Sequence, residues 1–104
     1  MTDKPAKPPK ELLGIFNILP EDEDTNLDEL LAKVKETIKP FNAYIESHNI
    51  QDVAYGLKKI VARIIFPENT EGGTQPIEDA IMGIPLVQRA ECDMVSNLGT
   101  KVNI

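Results

Sequence analysis

The chain predicts an α+β fold in which two strand–helix–strand halves share one antiparallel sheet. Three observations carry that prediction. Two segments, one from Leu27 to Ile38 and one through Ile77, Ala80 and Ile81, repeat apolar residues at helical spacing. Four others, Leu12–Leu19, Ala43–Gln51, Leu57–Phe66 and Val87–Val95, read as strands. Breakers separate them: Pro20, Pro40, Pro67, then Gly83 and Pro85.

Residues 1–11 form a tail in which Pro5, Pro8 and Pro9 stand among Lys4, Ala6, Lys7 and Lys10, a composition suited to extended chain. In the first strand Leu13, Ile15 and Leu19 share one parity and Phe16 and Ile18 the other. Apolar residues on both faces suit an interior strand. The first helix opens on Asn26 with Glu29 three residues later, a capping-box spacing, and Thr25 with Asp28 offers a competing frame. Leu27, Leu30, Leu31, Val34 and Ile38 form its apolar stripe, and Pro40 stops it by ring clash and a missing N–H.

The second strand is the weakest, because Ser47, His48 and Asn49 interrupt Tyr44, Ile45 and Ile50. A short or partly exposed strand with a bend is expected there. The third, with Ile60, Val61, Ile64, Ile65 and Phe66, is the strongest; Lys59 and Arg63 share the parity of Val61 and Ile65, so their stems cross apolar surface while their charges reach water. Glu71-Gly72-Gly73-Thr74 then supplies a flexible connection, with Thr74 as expected cap and Pro76 in the first turn of the second helix. The last strand mixes polar and apolar residues on both parities. Strand, helix, strand, strand, helix, strand is the ferredoxin-like βαββαβ order, with both helices on one face of a four-stranded sheet. The domain spans residues 12–95, leaving 96–104 as a C-terminal tail.

Composition narrows the function. A net charge of −6 opposes general nucleic-acid binding, which needs a basic excess. Cys92 is the only cysteine, so no intrachain disulfide forms, and one His with one Cys cannot build a zinc site of the usual ligands. The run Glu21-Asp22-Glu23-Asp24 lacks the spacing and central glycine of a calcium loop. No apolar stretch is long enough to span a membrane or serve as a signal peptide, so an intracellular, soluble domain is expected.

Few residues promise covalent chemistry. Gly72-Gly73-Thr74 lacks the lysine of a phosphate loop and reads as a connection or as a partner-contact loop. His48 has no relay partner identifiable from sequence and reads as a surface histidine; Cys92 reads as a packed, unactivated thiol. Lys58 and Lys59 are adjacent in a strand and point to opposite faces, so one can serve the fold while the other faces a partner. Tyr55 either packs beside the hairpin or offers an interface aromatic, and Gly56 permits a turn.

The run Val53-Ala54-Tyr55-Gly56-Leu57-Lys58-Lys59-Ile60 resembles the C-terminal guanine-nucleotide-exchange domain of translation elongation factor 1-beta, an archaeal and eukaryotic family. The resemblance extends from Leu12 to Val95, through Glu71-Gly72-Gly73-Thr74 and the Asp93-containing final strand. It implies a cytoplasmic exchange factor that promotes GDP release from the elongation factor 1-alpha GTPase, alone or in a larger elongation-factor complex. It also implies no covalent chemistry and no cofactor in this chain, since GDP, GTP and magnesium belong to the partner. Tyr55, Gly56, Lys58, Lys59, Gly72, Gly73, Thr74 and Ile104 are the implied partner contacts. In the eukaryotic forms a lysine near the C-terminus approaches the partner's magnesium site, and Lys101 is nearest to it by type and position. The usual ending places that lysine immediately before the last apolar residue, whereas this chain ends Lys101-Val102-Asn103-Ile104. Alternative readings are an interaction module that binds a translation factor without exchange, a small-molecule-binding domain, and a phosphoryl-cleaving enzyme of the same topology.

Overall fold

The structure is a computed structural model that describes residues 10–69 and 72–99. Its elements are β1 (Glu11–Pro20), α1 (Leu27–Ile38), a 3-10 turn (Lys39–Phe41), β2 (Tyr44–Ala54), β3 (Leu57–Pro67), α2 (Gln75–Met82) and β4 (Val87–Gly99). The strands form one antiparallel sheet in the order β2-β3-β1-β4. This is the expected ferredoxin-like arrangement, and the two most apolar strands, β1 and β3, lie at its centre.

Local chemistry explains the helix boundaries. The Asn26 Oδ1 accepts the Glu29 N–H at 3.0 Å, satisfying one of the free donors of the first turn of α1. The competing Thr25 frame is not used, because its hydroxyl turns back to Asp22. Leu30, Val34 and Ile38 recur at four-residue spacing and are fully buried. α2 begins differently from the expectation: Thr74 stands at its cap position, but its side chain makes no capping hydrogen bond, and Pro76 supplies the fixed φ of the first turn.

Both helices pack on one sheet face. Leu30, Val34, Ile38, Ile77 and Ile81 meet Phe16, Ile18, Ile60, Ala62, Ile64, Phe66 and Ala90 in a continuous core. The other parity of β1 and β3 forms an open face that no element among the described residues covers. There Leu13 and Ile65 are directly opposed and bury each other, while Ile15, Leu19 and Val61 remain half-exposed. The double-sided apolar pattern of β1 therefore marks a central strand with one face uncovered by the described elements.

Three strand boundaries differ from the sequence expectation. β2 is the exposed alternative rather than the short one: it continues past Gln51 to Ala54, with irregularities around Glu46 and Val53 that provide the bend. β4 continues past Val95 to Gly99, and β1 begins at Glu11, within the expected tail. The pairs Leu12↔Asn97 and Glu11↔Gly99 explain both extensions, because each strand end satisfies the other's backbone groups. A bulge leaves Asp93 without an opposite residue on β1, since Phe16 pairs with Cys92 and Ile15 with Met94. It reverses the parity of β4 midway, which is why no single alternation fits that strand.

Candidate functional site

The β2–β3 hairpin places the conspicuous residues of the central sequence run. Tyr55 and Gly56 form its two-residue loop with φ of 52° and 81°, the double positive φ that a type I′ turn requires. Glycine accepts this conformation freely; tyrosine does not. Tyr55 is nevertheless there, and it is 100% exposed. An aromatic side chain held out on a strained turn, without a packing role, is an arrangement suited to contact with another molecule. A Cβ on Gly56 would collide with the Glu23 carboxylate, so the tip sits against the acidic loop that follows β1.

The two lysines beyond the turn separate as strand geometry requires. Lys58 lies opposite Asp52, and its Nζ donates to Asp52 Oδ1 at 2.7 Å. That hydrogen bond, aided by the lysine's charge, lowers the Asp52 carboxyl below its usual range. Lys59 is half-buried on the open face, bordering a depression formed with Asn17, Leu19, Val53, Arg89, Glu91 and Asp93. In that depression Arg89 approaches Glu91 at 3.6 Å.

The remaining sequence-predicted contacts lie at the other end of the sheet. β3 ends at Pro67, beside Glu11, and the chain then turns through Gly72 and Gly73. Both glycines are exposed and have positive φ, 85° and 67°. Thr74 is half-buried, and its carbonyl accepts the Glu78 N–H. β4 reaches Gly99 at this same end, opposite Glu11. Lys101 and Ile104 lie outside the described residues. The hairpin tip and the glycine turn are thus separated by the eleven-residue length of β3, roughly 33 Å at strand rise. Tyr55, Gly56, Lys58 and Lys59 belong to one end; Gly72, Gly73 and Thr74 belong to the other.

The groups considered for nucleophilic chemistry are not brought together. His48 is exposed on β2 and Cys92 lies on β4, the two opposite edges of the sheet. Burial raises the Cys92 thiol above its usual range, ahead of smaller opposing effects from hydrogen bonds, so the reactive thiolate is disfavoured. Its N–H donates to Glu78 Oε2 at 2.7 Å, tying α2 to the edge strand. No group of three or more His, Cys, Asp or Glu among the described residues is arranged to hold a metal ion. No helix among them is long and apolar enough to cross a membrane.

Sequence reasoning missed the breadth of the open face and the backbone strain at Tyr55. Signals for both were present: the two-parity apolar pattern of β1, and a Tyr-Gly pair between two strand-like runs.

Residues 14–98 match the EF-1 guanine nucleotide exchange domain, a stretch that includes the hairpin, both helices and nearly all of β4. The chain is 37% identical over 89 residues to the elongation factor 1-beta of Sulfolobus acidocaldarius, covering 86% of this chain and 98% of the relative. It is 34% identical over 88 residues to that of Staphylothermus marinus, covering 85% and 97%. With the Methanococcoides burtonii protein the identity is 35% over 92 residues, covering 88% and 98%.

Proposed function

The chain belongs to the family of EF-1 guanine nucleotide exchange domains, and from that membership we infer that it accelerates GDP release from the GTPase elongation factor 1-alpha. The observation that carries the reading is the extent of the match, which reaches all four strands and both helices rather than an isolated motif. The chain acts on its partner's nucleotide affinity in the cytoplasm and makes or breaks no covalent bond. GDP, GTP and magnesium are bound by the partner.

The energetic requirement is modest. A protein that stabilises the nucleotide-free GTPase must weaken nucleotide binding by the same factor. A 100-fold change corresponds to about 2.7 kcal/mol of coupling. The two ends of the sheet divide the work. The hairpin end, with Tyr55 presented on a rigid turn, supplies docking. The opposite end, where Gly72 to Thr74 lie, supplies a second contact, and the Lys101 ammonium, by its resemblance to the family's tail lysine, supplies disruption of the magnesium site. A charge brought into a desolvated metal site acts far more strongly than one left in water.

The test is stopped-flow release of a fluorescent GDP analogue from elongation factor 1-alpha. Wild type should accelerate release, and Lys101→Ala should lower the maximal rate. Binding without acceleration at saturating factor would instead identify a non-exchanging interaction module. Turnover of a phosphorylated substrate by the isolated chain would identify an enzyme.

A further inference from the structure

The adjacent lysines at the hairpin present the same charge in two different settings, and the difference assigns them different roles. Lys58 is fully accounted for within the fold: its ammonium lies on the Asp52 carboxylate across the β2–β3 ladder. Lys59 has no such partner. Among the described residues its ammonium makes no ion pair and no hydrogen bond, although the side chain is half-buried.

Its surroundings do not neutralise it. Lys59 precedes Ile60, the partner of Ile18, on β3 and lies on the sheet face left uncovered by the described elements, in a depression that Leu19 and Val53 also line. The carboxylates bordering the same depression are both on β4, across the intervening β1 strand. One of them, Glu91, is approached by Arg89. Lys33 and Lys35 likewise make no ion pair among the described residues, but both are exposed, whereas Lys59 is half-buried on the sheet face. A cation in that position is already partly desolvated, so it loses little more on docking if the arriving surface brings a carboxylate.

We propose that Lys59 is the member of the pair that reads the partner, accepting an acidic side chain of the GTPase onto the open sheet face, while Lys58 serves the hairpin. The inference rests on the exchange function above, names one specificity-determining residue for it, and adds Leu19 and Val53 as the floor of the contact. Lys59 acts in docking, so its loss alters the concentration of factor needed and leaves the maximal rate of release in place.

The experiment titrates elongation factor 1-alpha, loaded with the fluorescent GDP analogue, with wild type, Lys59→Gln, Lys59→Arg and Lys58→Gln. Lys59→Gln should raise the half-saturating concentration about fivefold or more with the maximal rate unchanged, as expected for loss of a partly desolvated charge pair. Lys59→Arg, which keeps the charge, should behave as wild type, and Lys58→Gln should shift the concentration by less than about twofold, in line with an exposed pair. Raising the salt concentration should weaken wild type more steeply than Lys59→Gln. Equal half-saturating concentrations for wild type and Lys59→Gln, or an equal loss in Lys58→Gln, would overturn the assignment while leaving exchange intact. Failure of wild type itself to accelerate release would overturn the exchange function, and this contact with it. Thermal denaturation of each variant separates a docking defect from unfolding.

Discussion

Tyr55 combines two properties that stability alone would not select together. Its backbone occupies the left-handed region, which costs a non-glycine residue on the order of 1–2 kcal/mol, and its fully exposed ring recovers none of that by packing. Asparagine is much better suited to the first position of a type I′ turn. Tyr55→Asn should therefore stabilise the fold by about 1 kcal/mol in urea denaturation while raising the factor concentration needed for GDP release. A variant that loses stability, or one that gains it with undiminished exchange, would remove the functional explanation of the strain. Tyr55 and Gly56 were legible in the sequence as a turn, but the exposure of the ring was not. The same holds for the lysines: alternation predicted that Lys58 and Lys59 diverge, and only the cross-strand position of Asp52 showed which is satisfied within the fold.

Among the elements, β4 departs most from its sequence reading. Its bulge at Asp93 reverses parity midway, so no single alternation describes it, and its polar end is strand because β1 lies alongside. It is also an edge strand, and α2 secures it through the Glu78 carboxylate on the Cys92 N–H. Glu78→Ala should lower stability by about 1–2 kcal/mol, the usual effect of leaving a partly buried donor without its charged acceptor. Glu78→Gln, which still presents an acceptor oxygen, should retain most of that stability. Hydrogen exchange at the Cys92 amide gives the direct measure: it should quicken in Glu78→Ala, and unchanged protection would show that the tether contributes nothing. The helices, by contrast, were legible almost to the residue. A 3.6-residue apolar stripe with Asn26 before it is local information that tertiary contacts had no need to override.

At the scale of the whole molecule, the antiparallel order sends the predicted contact residues to opposite ends of the sheet, about 33 Å apart along β3. Groups this far apart with no shared neighbours contribute independently. Combining Tyr55→Ala with Thr74→Ala should therefore give a loss of exchange equal to the sum of the two single losses, within about 0.5 kcal/mol. Losses that fall well short of additivity would mean that both residues act through one step, and would refute the separation of the contacts into two independent groups.

By itself the sequence determined the fold class, the order of its elements, the helix limits and the family, because periodicity, capping residues and breakers are read along the chain over a few positions. Tertiary structure alone decided where β2 and β4 end, which face of β1 the described elements leave uncovered, which of Lys58 and Lys59 lies on a carboxylate, and that the described candidate contacts form two separate groups. Each of those depends on what lies across a strand or beyond a helix, and such neighbours are far apart in the chain. The physical reason is register: it aligns residues such as Asp52 with Lys58, or Leu12 with Asn97, and it is set only when the sheet assembles.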